Sequence, residues 1–285
     1  MTAPRLHWSQ SRAWGRPAGL ARLTGWIGGL GLAVLLVLAA FPTQFAPYDS
    51  TQRVAAPLQR PGTANLLGTN DLGQDLLSEL IAGTRASLLT GLIVASVAVL
   101  IGTLIGLAGG YFSGWPDSLL MRLTDLILVL PFLPLVILLS VYLGPSHRNV
   151  IIVLAIFFWA VPARLIRSRV LSLRGDTYVE AARALGASPL QIIVGHLWSG
   201  VRPLVLVQVV LIASAAILAE SSLSFLGLGD PSAKSWGTML YFARASGAFL
   251  SDAWQWWVLP TGLMITLTVL SLGFIGYSLE QRITK

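Results

Sequence analysis

The sequence predicts an all-α polytopic membrane protein with six transmembrane helices, on three observations. Of 285 residues, 55% are hydrophobic and only 11% charged, with a mean hydropathy of +0.74; soluble domains carry about 25% charged residues. Six apolar segments (24–41, 86–110, 119–142, 150–166, 204–226 and 256–277) approach the roughly 20 residues that a helix needs to cross a bilayer. The basic residues also divide unequally between the connections, as a fixed orientation requires.

The elements follow in order. Residues 1–23 are a basic N-terminus with Arg5, Arg12, Arg16 and Arg22. The first span, 24–41, ends in small residues near Ala39 and Ala40 like a signal peptide. Its long basic flank and near-spanning length make it an uncleaved signal-anchor. Residues 42–85 form a long outer connection that opens with FPTQFAPYDS. Within it Leu76, Leu77, Leu80 and Ile81 recur at helical spacing, with Gln74, Asp75, Ser78 and Glu79 on other faces. That pattern predicts an amphipathic helix lying on the outer surface ahead of the second span.

Residues 86–277 are expected to form a five-helix core that includes a polar loop, 167–203, followed by a tail, 278–285. Gly102, Gly106 and Gly110 make one stripe in the second span, suited to close packing of a neighbouring helix. Pro131 and Pro134 are expected to bend the third. A second outer loop, 227–255, precedes the last span; with it go Trp236, Trp254, Trp256 and Trp257, residue types that anchor at the membrane interface. With both termini inside, only Arg53, Arg60, Arg85, Arg148, Lys234 and Arg244 remain outside, so the positive-inside bias selects N-in, C-in and makes the loop 167–203 cytoplasmic.

Several chemistries are excluded. The chain has no cysteine, and its three histidines show no paired spacing and no HExxH, so no metal site is expected. Lys234 and Lys285 are the only lysines and neither follows glycine, so there is no phosphate-binding GxxxxGK[ST] loop. If ATP drives this protein, another subunit binds it. Asp125 and Glu220 lie in or near apolar spans, where a charge costs roughly 2.5–3.5 kcal/mol at the bilayer centre. Asp125 follows Arg122 by three residues, which allows an ion pair along one helix. Glu220 has no base nearby in sequence, and its partner is expected on another span or subunit. Both are candidate pathway or gate residues. They also leave open an ion-coupled secondary transporter, although no inverted repeat is evident.

The stretch EAARALGASPLQ, Glu180 to Gln191, is polar and helix-forming in an otherwise apolar chain. Thr177 and Glu180 have the spacing of a capping box, as do Ser188 and Gln191, with Pro189 at a first helical position. Gly186 suits a left-handed C-terminal cap. Two short helices joined by a glycine turn result. Ala181, Ala182 and Gly186 leave one side of the first helix nearly bare, while Leu190, Ile193, Val194 and Leu197 give the second an apolar face toward the bundle. Helix–turn–helix also describes a DNA reader, but spans bracket this insert tightly and no nucleic acid is expected. On residues alone, a docking element for a partner and a structural elbow both fit.

EAARALG resembles the EAA loop of ABC importer permeases. Four blocks, LGTNDLGQDLLSELIAGTRASL (67–88), GYFSGWPDSLLMRLTDLILVLPF (110–132), ARLIRSRVLSLRGDTYVEAARALGAS (163–188) and AESSLSFLGLGDPSAKSWGTML (219–240), are similar to the permease subunits of dipeptide, oligopeptide and nickel importers (DppC/OppC-like). The resemblance covers nearly everything from about residue 40 onward. It implies a type I ABC importer permease fold with a cytoplasmic coupling helix, in which Glu180, Ala181, Ala182 and Gly186 dock on the ATPase. It further implies a second homologous permease, two ATPase subunits that bind ATP and Mg, an extracytoplasmic binding protein that delivers peptide, and a bacterial inner-membrane location. Nickel, metallophore, glutathione or opine transport is the alternative cargo. Two departures stand out: His196-Leu-Trp-Ser-Gly200 replaces the family's usual HILPN, and SLEQRITK replaces a GDGLRD-like tail.

Overall fold

A computed structural model describes residues 18–283; Arg5, Arg12, Arg16 and Lys285 lie outside the described residues. Ten helices organise the chain: α1 (Ala18–Ala40), α2 (Leu76–Phe112), α3 (Trp115–Val129), α4 (Phe132–Leu143), α5 (His147–Phe158), α6 (Ala160–Arg174), α7 (Thr177–Ala184), α8 (Trp198–Phe225), α9 (Trp236–Ala245) and α10 (Val258–Ile283). Short helical turns fill some of the connections, and two isolated β-bridges are the extended pairing among the described residues. Five helical segments are long and apolar enough to cross a membrane, and a bent pair makes a sixth.

The third span is bent, as its prolines predict, and the bend is sharp enough to break it into two helices at Pro131. α3 and α4 meet at 89°. Pro131 has no N–H to continue the helix and forces Leu130 into an extended conformation, φ −66° and ψ 138°. Pro134 causes no break, because it falls in the first turn of α4, where amide groups have no intrahelical partner.

The outer amphipathic helix is corrected. Leu76 opens α2 itself, which runs unbroken for 37 residues, about 55 Å at 1.5 Å per residue. That exceeds the ~30 Å hydrocarbon core, so its first turns extend into the loops at one end of the bundle. Asp75 caps it by accepting from the Ser78 amide at 2.9 Å. Gln74, Asp75, Ser78 and Glu79 are buried by loop 46–75 and by Lys234, not exposed on a surface helix.

Trp236 and Trp257 are core residues, at 0% and 1% exposure, and Trp256 is buried too; Trp254 alone of the four is exposed. The interface-anchor reading fails because the 227–257 segment folds back over the bundle. Trp236 donates its indole N–H to the Leu80 carbonyl at 3.2 Å, and its amide donates to Ser87 Oγ at 3.2 Å.

The glycine stripe sets the closest helix pair. A Cβ on Gly102 would sit 2.7 Å from the Trp159 carbonyl oxygen, on Gly106 2.8 Å from that of Ala163, and on Gly110 2.6 Å from Val170 Cβ. Only glycine lets α2 and α6 approach this closely. The core lies between α2, α6, α8 and α10, while α1 stays largely exposed on its flank.

Candidate functional site

The insert between α6 and α8 is a hairpin at the end of the bundle opposite loop 46–75. Its first helix, α7, ends in a full Schellman turn: Gly186 has φ +84°, its amide donates to the Arg183 carbonyl at 3.1 Å, and the Ala187 amide donates to Ala182 at 3.1 Å. The Ser188–Gln191 capping box is present, with Pro189 at the first position. The Thr177–Glu180 box is not. Asp176 occupies the cap position with no side-chain hydrogen bond, because the helix begins one residue earlier than the box requires.

The inward face differs from the expected one. Val179, Ile192 and Leu197 are fully buried against Ile166, Val170 and Leu173 of α6. Leu190 and Val194 instead face outward, 70% and 60% exposed, and Ile193 is half-buried. A π-helical turn at Ile193–Leu197 shifts the register just before α8, so the positions chosen by regular periodicity rotate off the packed face.

That rotation builds a surface. Glu180, Ala181 and Gly186 are exposed and Ala182 is half-buried. Ala181, Ala182 and Gly186 floor a cleft walled by Leu190, Val194 and the Tyr178–His196 ring pair, whose centroids lie 6.1 Å apart. Leu185, 88% exposed, stands at its rim. Small residues below and apolar residues around are what another protein needs to approach a backbone and bury area.

The hairpin is tied to the bundle through α6. Arg174 donates to the Tyr111 carbonyl at 3.2 Å and to Ser113 Oγ at the end of α2. The Arg183 guanidinium lies 5.9 Å from the Tyr111 ring centroid. Arg167 grips Asp117 of α3 with two bonds, Nε to Oδ1 at 2.5 Å and Nη2 to Oδ2 at 2.6 Å. Asp125 pairs with Arg164 of α6 and not with Arg122, so this acid joins two helices where one was expected to be stapled. The hairpin therefore contacts α2 directly through Arg183, is continuous with α8, and packs on α6, whose arginines pair with α3.

Glu220 lies toward the other end and does not meet Asp125. It is buried on α8, and its Oε1 accepts from Ser224 Oγ and Ser235 Oγ, each at 2.8 Å. Its hydrogen-bond partners are hydroxyls, and the basic side chain that acts on it electrostatically is His147, on another span, α5. Ser235 also caps α9, and a Cβ on Gly237 would fall 2.6 Å from Ser224 Cβ, so this acid sits where α9 is clamped to α8.

A third cluster escaped the sequence reading. Lys234 Nζ donates to Glu79 Oε1 at 2.6 Å and to Gln74 Oε1 at 2.8 Å, and Asn70 Nδ2 donates to the same two side chains at 3.2 and 2.9 Å. It latches loop 226–235 onto the start of α2. The visible signal was a polar NDLGQD block abutting an apolar run, with Lys234, one of two lysines, in a later loop. Nearby, the Ser232 hydroxyl and amide hold the Asp230 carboxyl below the usual aspartate range. Among the described residues no group of three metal-ligating side chains occurs.

Comparison with known proteins adds an independent line. The family described as binding-protein-dependent transport system inner membrane component matches residues 98–285. The chain is 35% identical over 256 residues to a glutathione transport system permease protein of Pectobacterium atrosepticum, covering 88% of this chain and 84% of the relative. It is 35% identical over 254 residues to an oligopeptide transport system permease protein of Mycobacterium tuberculosis, covering 85% and 84%. It is 38% identical over 266 residues to a di/tripeptide transport system permease protein of Pseudomonas aeruginosa, covering 90% and 86%.

Proposed function

The chain belongs to the family of binding-protein-dependent transport system inner membrane components, and from that premise we propose how it works. It is a permease subunit of an ABC importer and supplies half of a pathway for di- and oligopeptides. A second homologous permease supplies the other half. Two ATPase subunits bind ATP and Mg, since this sequence holds no phosphate-binding loop. An extracytoplasmic binding protein delivers the cargo to the end formed by loops 46–75 and 226–257. Both termini and the hairpin lie in the cytoplasm, in accord with the arginine asymmetry.

The observation that carries this reading is the hairpin: a bare cleft of Ala181, Ala182 and Gly186, exposed on its outside and locked to α6 on its inside. ATPase closure would push on that cleft. α6 passes the push to α2 through the glycine stripe and to α3 through the Arg167–Asp117 and Arg164–Asp125 pairs. Rigid transmission requires close helix contact, which glycine provides. In this scheme Asp125 belongs to the moving linkage. Glu220 holds α9 and its loop against α8 at the mouth of the pathway.

The peptide assignment is supported by the oligopeptide and di/tripeptide relatives, while the glutathione relative stands for the alternative cargo. The test is reconstitution of the four-subunit complex with its binding protein in liposomes. ATP-dependent uptake of a labelled dipeptide or oligopeptide is expected, with none when the ATPases are omitted. Uptake of nickel or glutathione without peptide would replace the cargo. Uptake by this chain alone, driven by a proton gradient, would overturn the class.

A further inference from the structure

We propose that the groove between α1 and α10, at the hairpin end of the bundle, is a binding site for one anionic phospholipid. Its walls are apolar: Trp26 and Leu30 from α1, Ile275 and Leu279 from α10. Arg22 and Arg282 stand at its mouth. Both are exposed, and neither has a hydrogen-bond or ion-pair partner among the described residues. The groove is open to the surface and offers about 550 Å³, room for a stretch of acyl chain.

Its shape comes from how glycine is used on α1. A Cβ on Gly25 would lie 2.5 Å from Ser278 Oγ, and one on Gly28 2.9 Å from Phe274 Cβ, so these two bring the helices together. Gly29 is different. A Cβ there would meet nothing within 4 Å, and the missing side chain leaves a channel beside the contact. Trp26, 80% exposed, stands one turn along α1 from Arg22, and tryptophan is a residue type that anchors at the headgroup layer.

Charge complementarity selects the occupant. Two guanidiniums with no partner among the described residues, over an apolar channel, match a phosphate headgroup above an acyl chain, and basic pockets between spanning helices bind anionic headgroups for this reason. A zwitterionic lipid fits the channel equally but neutralises the pair less well. A basic side chain near the membrane surface contributes about fivefold to the affinity for anionic lipid, so the two together contribute roughly 30-fold.

The assembled complex in mild detergent, examined by native mass spectrometry with added phosphatidylglycerol or phosphatidylcholine of equal chain length, tests this. Wild type is expected to retain phosphatidylglycerol in preference. Arg22→Gln with Arg282→Gln should lower that preference roughly 30-fold, and Gly29→Phe should fill the channel and abolish retention of both lipids. Arg148→Gln, at the opposite end, should change nothing. The three arginines are exposed, so their replacement carries little folding risk if Gly29→Phe fails to assemble. Undiminished phosphatidylglycerol retention by the double arginine variant would overturn the proposal. Capture of residues 1–17 or of the second permease by a crosslinker on Gly29→Cys, a unique thiol in this cysteine-free chain, would do the same.

Discussion

Gly186 carries a graded prediction. Its φ of +84° is the left-handed region, yet a Cβ there would meet nothing within 4 Å. Any penalty for substitution is therefore backbone strain, uncontaminated by overpacking. A residue other than glycine pays roughly 1–2 kcal/mol in this region, a factor of about 5–30 in the ratio of native to altered turn. The strain stays local, because Val179, Ile192 and Leu197 keep the hairpin docked on α6 and are untouched. α7 has only eight residues and cannot hold its own geometry once its cap is lost. Asparagine tolerates the left-handed region better than alanine, and β-branched valine tolerates it worst. In proteoliposomes with all partners, uptake per ATP hydrolysed should therefore fall in the order Gly, Asn, Ala, Val, with Ala about 5–30-fold below wild type. Membrane insertion should be unchanged in every variant. Equal coupling for Gly and Val would refute the docking argument. A loss in Asn as deep as in Val would refute the conformational one.

Three further outcomes follow from the packing. Gly106→Leu places its Cβ 2.8 Å from the Ala163 carbonyl and beside Ile166, so overpacking of at least ~1–3 kcal/mol should lower the melting temperature of the detergent-solubilised chain, whereas Gly262→Leu, which meets open space, should not. Lys234→Met leaves Glu79 buried beside an apolar group and should cost up to ~3–5 kcal/mol, reduced by the partial exposure of the lysine; adding Glu79→Gln should recover most of the loss, and a simple sum of the two single effects would argue against the latch. The Asp230 carboxyl titrates below its ordinary value of 3.8 when folded, so its contribution is present above that value and lost as pH falls through the folded one. Asp230→Asn should therefore be less stable than wild type near neutrality, with the gap closing in acid, as followed by proteolysis of loop 226–235.

Composition and apolar run length decided the class of molecule and the helical form of its crossings, because burying some 20 residues in hydrocarbon leaves a helix as the available backbone solution. Local chemistry was equally legible. The Gly186 turn, the Ser188 capping box and the Gly102–Gly106–Gly110 stripe all depend on interactions within a few residues or on a missing side chain, and each is visible in the string of letters. Partnerships across the fold were not. Asp125 had a base three residues away and took Arg164, 39 positions on, because the broken third span turns α3 across α6. Glu79 and Lys234, 155 residues apart, meet only once loop 226–235 folds back, and the same fold-back hides the tryptophans expected at the interface. Leu190 and Val194 lost their expected burial to a single π turn that no periodicity reports. The sequence by itself determined a helical membrane permease with a glycine-capped hairpin. Only tertiary structure decided which helices that hairpin packs against, since close approach and charge pairing depend on which chain segments the bundle brings side by side.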